Sequence, residues 1–177
     1  EPWYEAWIEV LELSGEITTA HEERWAMFER TLSPEPLRRF LRALPDFDDV
    51  EATDRAFEIA ARYGRFRDGL AFLMDWPALP EAAGMILARR DEVVGGPAAE
   101  LAEWAARLDA RYPRAALVLL RAAITALWSD PRTRADAEPL ADEAEGLARR
   151  IGDLDGLESH EAFVLRLTAR RSGPWRR

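Results

Sequence analysis

Residues 40–77, FLRALPDFDDVEATDRAFEIAARYGRFRDGLAFLMDWP, decide the fold. Asp46, Asp48, Asp49 and Glu51 put negative charge and capping side chains where a helix N-terminus favours both. The spacing after them predicts a helix over about 50–63, with Ala56, Phe57, Ala60, Ala61 and Tyr63 available for packing. Gly64 closes it, and a partner helix over 66–76 turns Phe66, Leu70 and Leu73 inward before Trp76-Pro77 stops it. That is one helical hairpin, and the chain on either side reads as more of the same.

Towards the N-terminus, a helix over 3–13 carries Trp3, Trp7, Val10 and Leu11 at i, i+4, i+7 and i+8, ended by Ser14-Gly15. A second, over about 19–32, has Trp25, Phe28 and Leu32 on one face. Ser33-Pro34 then supplies an N-cap and a first-turn proline for a short helix bearing Leu37, Phe40, Leu41 and Leu44. Towards the C-terminus, Pro80 belongs in the first turn of a helix packing through Leu79, Ala83 and Ile86, which stops before Gly95-Gly96-Pro97. Leu101, Trp104, Ala105, Leu108 and Tyr112 mark an amphipathic helix over about 98–111. From Ala115 to Trp128 the next helix is apolar nearly all round and interrupted by Arg121, which predicts burial on several sides. Asp130-Pro131 reads as a cap followed by Pro. A helix with Leu140, Ala144, Leu147, Ala148 and Ile151 comes next, then a loop over 152–156. A last helix over about 157–171 shows His160, Phe163, Val164 and Leu167 on one side.

The expectation is therefore all-α: an α-solenoid-like array of about nine short antiparallel helices. Residues 1–171 read as a single helical domain and 172–177 as a flexible basic tail. Ala, Leu, Glu and Arg, all good helix formers, dominate the composition. The net charge of −9 argues against general nucleic-acid binding, which needs a basic face. Cys is absent, which removes disulfides, thiolate catalysis and Cys-ligated zinc. No apolar run reaches the ~18 residues of a membrane span, so no membrane association is expected and a cytoplasmic location is the default. The chain opens on Glu1-Pro2, which suggests a longer parent with a further N-terminal region.

Two hairpin turns, GEITTA from Gly15 and GRFRDG from Gly64, place a small residue (Ala20, Gly69) five positions after a turn glycine. They resemble the turn of tetratricopeptide repeats, which implies a right-handed superhelix of stacked hairpins. The chain also resembles the C-terminal part of an uncharacterised bacterial family of unknown function. The resemblance rests on Leu44-Pro45-Asp46-Phe47-Asp48-Asp49, on Ala71-Phe72-Leu73 with Trp76-Pro77, on His160-Glu161-Ala162-Phe163 with Leu167, and on Trp175 in its basic setting. It implies no activity, cofactor or catalytic residue.

Tests for chemistry return little. His21-Glu22-Glu23 opens like a zinc-protease helix, but Trp25 stands where the second His is required. Glu158, His160 and Glu161 need partners from other helices to hold a metal. His21 reads as solvated and His160 as half-buried and hydrogen-bonded. Asp46, Asp48 and Asp49 lack the glycine and closing Glu of an EF-hand, so helix capping explains them better. Ser14, Ser33, Ser129, Ser159 and Ser172 sit at helix ends or loops, none in a nucleophile elbow. No cofactor and no metal is expected.

The C-terminal end is basic within an acidic chain: Arg166, Arg170, Arg171, Arg176 and Arg177 accompany Trp175. Those six residues are the candidate handle for an acidic partner or phosphate-bearing ligand, through bidentate guanidinium contacts. The expected function is a non-catalytic helical-repeat module. It binds a protein partner, or the further N-terminal region of its own parent, in a groove between hairpins. The alternatives are a structural cap, signalled by an exposed apolar face around Trp3 and Trp7, and a ligand or enzyme site assembled from carboxylates and arginines between helices.

Overall fold

A computed structural model describes residues 2–45 and 47–169 of the chain. Among them are ten α-helices, two 3₁₀ turns and no strand. The all-α expectation holds, with ten helices among the described residues rather than about nine. Asp46 and residues 170–177 lie outside the described residues. The chain divides into two compact units, Glu1–Glu81 and Ala82–Arg177.

The first unit holds α1 (Pro2–Leu13), α2 (Ile17–Thr31), α3 (Pro34–Arg42), α4 (Asp48–Ala61) and α5 (Phe66–Asp75), each packed on the next. Phe28, Leu37, Leu70, Leu73 and Met74 are fully enclosed, each burial contributing about 1.5–3 kcal/mol. The Phe28 and Phe72 rings meet at 5.3 Å, tying α2 to α5. Ala20 and Gly69, the small residues after the two turn glycines, are both buried.

Two local expectations need correction. On α1 the buried residues are Ile8 and Leu11, with Tyr4 half-buried beside them, while Trp3, Trp7 and Val10 face solvent. Tyr4, Ile8 and Leu11 repeat the same i, i+4, i+7 spacing one position round the helix, and that face meets α2. At α4, Phe47 in a left-handed conformation (φ 78°) precedes the first turn, and no side chain caps it. Asp48, Asp49 and Glu51 lie inside that turn and act through their charge on the helix dipole. A half-buried ion pair, Arg24 Nη1 to Glu12 Oε1 at 2.5 Å, joins α2 to α1 and holds the Glu12 carboxyl below its usual range.

The boundary between units falls inside α6 (Leu79–Ala88). The second unit continues through a 3₁₀ turn at Arg90–Glu92, α7 (Ala98–Leu108), α8 (Pro113–Ser129), a 3₁₀ turn at Arg134–Asp136, α9 (Ala137–Ile151) and α10 (His160–Ala169). As its all-round apolarity predicts, α8 is central. It packs on both α7 and α9 and encloses Leu117, Leu119, Leu120, Ala123 and Ile124. Asp130 ends α8 instead of capping the next helix, its Oδ1 accepting from the Arg132 backbone N–H at 2.9 Å. The described part of α10 starts at His160, not at 157. Ser159 Oγ accepts the Ala162 N–H, and the carbonyl of Glu158 is taken by Arg121 instead of by a helical turn.

Candidate functional site

One face of α8 is built from Val118, Arg121, Ala122, Thr125, Ala126 and Ser129, at i, i+3, i+4, i+7, i+8 and i+11. The small side chains on this face leave room in front of the helix. Opposite stand the Arg90–Gly95 region, the segment Gly156–Glu158, and Phe163 and Arg166 one turn apart on α10. Between them lies a cavity of about 760 Å³, open to solvent. That is within the usual range for small-molecule sites.

Its polar wall is made of arginines from three elements. Arg166 grips the Glu158 carboxylate side-on, Nε to Oε2 at 3.2 Å and Nη2 to Oε1 at 2.5 Å. The pair pulls the Glu158 carboxyl below its ordinary range and raises the Arg166 guanidinium. Arg90 Nη1 donates to the Gly156 carbonyl at 3.1 Å. Arg121 Nη1 donates to the Glu158 carbonyl at 2.9 Å. The Phe163 ring contacts two guanidiniums, with Arg121 Cζ at 5.2 Å and Arg166 Cζ at 5.4 Å from its centroid. Such contacts contribute about 0.5–2 kcal/mol each.

Arg121 is the unusual member. It is only 7% exposed, and its Nε and Nη2 are buried with no hydrogen-bond partner. Burial pushes its pKa down, Glu158 opposes that shift, and the like charge of Arg166 adds to it. A guanidinium nevertheless stays charged in a protein. The cavity's hydroxyls are engaged within α8, Thr125 Oγ1 donating to the Arg121 carbonyl and Ser129 Oγ to that of Thr125, both at 2.7 Å. Among the cavity's lining residues, the buried donors without a partner therefore belong to Arg121.

Of the candidate handle, Arg166 is at the site; Arg170, Arg171, Trp175, Arg176 and Arg177 lie outside the described residues. Sequence reasoning missed Arg90 and Arg121 as site residues and weighed Glu158 only as a metal ligand. A lone arginine in a helix apolar nearly all round is the signal that marks Arg121, because such a position is buried and a buried charge requires a reason. His160 is half-buried as expected, but its Nδ1 has no partner, and its ring lies 6.3 Å from Phe163 instead. His21, expected in solvent, is half-buried with its ring edge-on to Phe40 at 6.0 Å. Among the described residues no group of three His, Asp or Glu side chains is placed to hold a metal ion. No helix among them is long and apolar enough to cross a membrane.

The family model described as a family of unknown function (DUF6880) matches residues 1–177. The chain belongs to that family. No curated protein and no solved structure matches this member of DUF6880.

A second groove, in the first unit, has a volume of about 550 Å³ and a floor of Trp25 and Phe40, with Glu22, Asp48 and Glu51 at its edges. Its aromatic face is already covered: the Arg55 guanidinium lies 4.6 Å from the Trp25 ring, and Glu29 takes both Arg55 and the Trp25 Nε1–H. The cavity of the second unit is the better candidate, because there a charged donor is left unmet.

Proposed function

We propose that this chain is a non-catalytic interaction module, and that the cavity of its second unit receives an anionic group carried by a protein partner. The observation that carries this reading is Arg121, a buried guanidinium lining an open cavity with two of its three nitrogens unpaired. Buried polar groups in folded proteins are nearly always paired, so two unpaired nitrogens on one guanidinium call for a partner, and an anionic group is the partner their charge suits. Phe163 and Arg166 beside it are the aromatic and arginine types that anchor interfaces. In this reading the hairpins stack in the tetratricopeptide manner, which the burial of Ala20 and Gly69 after their turn glycines supports. In this reading the protein is bacterial, as the family resemblance implies, and cytoplasmic by default.

The test is capture from a native bacterial lysate by three baits: the intact chain, the double variant Arg90→Glu/Arg166→Glu, and the control Arg62→Glu on the solvent side of the first unit. Circular dichroism establishes that each is folded. A protein held by the intact chain and the control but lost by the double variant supports the reading. Equal capture by all three baits refutes it.

A second reading is favoured by one observation. On α1, Trp3, Trp7, Val10 and Leu13 all lie exposed, Trp3 at 66% and Leu13 at 89%. A face that apolar suits docking against a further helix, the role of a structural cap.

A further inference from the structure

A guanidinium has a side-on edge, Nε–H beside an Nη2–H, whose two parallel donors match the two oxygens of a carboxylate. Two arginines of the second unit use this edge on carboxylates of their own chain. Arg166 places it on Glu158, at 3.2 and 2.5 Å. Arg89 places it on Glu92, at 2.8 and 2.7 Å. In Arg121 the same two atoms, Nε and Nη2, are the ones without a partner. Its remaining nitrogen is fixed by the Glu158 carbonyl, and its face by Phe163. The edge is therefore held in one orientation beside the cavity.

The walls narrow the chemistry. Three arginines, Arg90, Arg121 and Arg166, face two carboxylates, Asp91 and Glu158, which leaves one positive charge. A single negative charge balances it; a phosphate dianion exceeds it. Val93, Val118, Ala122, Ala126 and Leu157 make much of the remaining wall apolar, and Val94 stands 77% exposed beside them. We propose that the Nε/Nη2 edge of Arg121 is the receptor for the carboxylate of an apolar monocarboxylic acid, whose aliphatic body fills the cavity. The proposal rests on the anion-binding reading above and names the ligand class. The same chemistry belongs to a polypeptide C-terminus with an aliphatic last side chain and to a free fatty acid.

Neither nitrogen reaches solvent in the structure, so the carboxylate enters by displacing what covers them. The displaceable neighbour is the segment from Gly152 to Ser159, between α9 and α10, which contributes no fully buried side chain. Arginines hold it by its carbonyls: Arg114 at Asp153, Arg90 at Gly156 and Arg121 at Glu158.

The test is a titration of the ¹⁵N-labelled full chain, read at the arginine Nε–H resonances, with the Arg121 signal assigned by its loss in Arg121→Met. The probes are N-acetyl-leucine, N-acetyl-leucinamide, octanoate and inorganic phosphate. The expected result is that one or both acids shift the Arg121 Nε–H, while the uncharged amide and phosphate leave it in place. A larger shift with N-acetyl-leucine assigns the site to a polypeptide C-terminus, and a larger shift with octanoate to a free acid. Val118→Phe, which fills the cavity and leaves Arg121 intact, weakens either acid by at least about tenfold, the difference a lost well-placed contact makes. No shift with either acid up to about 10 mM, weaker than any useful affinity, overturns the proposal. So does an equal shift with the amide. If the acids fail while Arg90→Glu/Arg166→Glu still abolishes capture, the carboxylate assignment falls alone. If the acids bind and capture ignores those arginines, the carboxylate site stands and the protein-partner reading falls.

Discussion

Arg121→Met separates an arginine kept for binding from one kept for stability. Methionine has a similar length, is apolar and adapts its shape to the space available. The substitution removes two favourable interactions: the Nη1 bond to the Glu158 carbonyl and the contact with the Phe163 face. A hydrogen bond from a charged donor contributes about 1.5–3 kcal/mol and a cation–π contact about 0.5–2 kcal/mol, while methionine retains most of the packing. Against this, the substitution releases two buried, unpaired nitrogens, each costing about 1–3 kcal/mol, together with the cost of keeping a charge out of water. Replacing buried charges by apolar residues of similar size is often neutral or stabilising, by about 1–4 kcal/mol. The expected outcome is a variant between unchanged and about 2 kcal/mol more stable in urea unfolding, with a circular dichroism spectrum like that of the wild type. Destabilisation by about 3 kcal/mol or more, the cost of breaking a well-satisfied buried group, would refute the reasoning. It would mean that Nε and Nη2 are paired in solution and that Arg121 is structural.

Other outcomes rest on the same geometry. Phe163 is 1% exposed and touches both guanidiniums, so Phe163→Ala is expected to cost about 3–5 kcal/mol in urea unfolding. On α1, Ile8→Ser should destabilise by more than about 2 kcal/mol and Trp7→Ser by less than about 0.5 kcal/mol, although the two positions are adjacent. The Glu158 carboxyl is held below its unfolded value by Arg166, so its contribution to stability is present above the ordinary glutamate range and is lost as pH falls through the lowered folded value. Glu158→Gln should lower the neutral and alkaline plateau of a stability–pH profile and flatten its acid limb, leaving the slope on the alkaline side unchanged.

The helices of the first unit were legible because apolar spacing and stop signals agree. Trp25, Phe28 and Leu32 share one stripe and are all buried. The face of α1 was not legible, because Trp3-Trp7-Val10 and Tyr4-Ile8-Leu11 satisfy the same helical spacing. Only the packing of α2 against one of them decides which is inside. At the candidate site, Arg166 was found through the basic C-terminal end, but its role as the clamp on Glu158 depends on the turn before α10. Arg121 was noticed only as an interruption of the most apolar helix. Its meaning comes from three segments distant in sequence, Arg90–Gly95, Gly156–Glu158 and Phe163–Arg166, which no local spacing brings together.

The most direct measurement is a crystal structure of the chain grown or soaked with N-acetyl-leucine. The account predicts the carboxylate side-on to Arg121, with its oxygens about 2.7–2.9 Å from Nε and Nη2 as in other charged pairs, and the leucine side chain against Val118 and Ala122. A structure in which those two nitrogens are bonded to atoms of the protein itself, with the acid absent from the cavity, would contradict it.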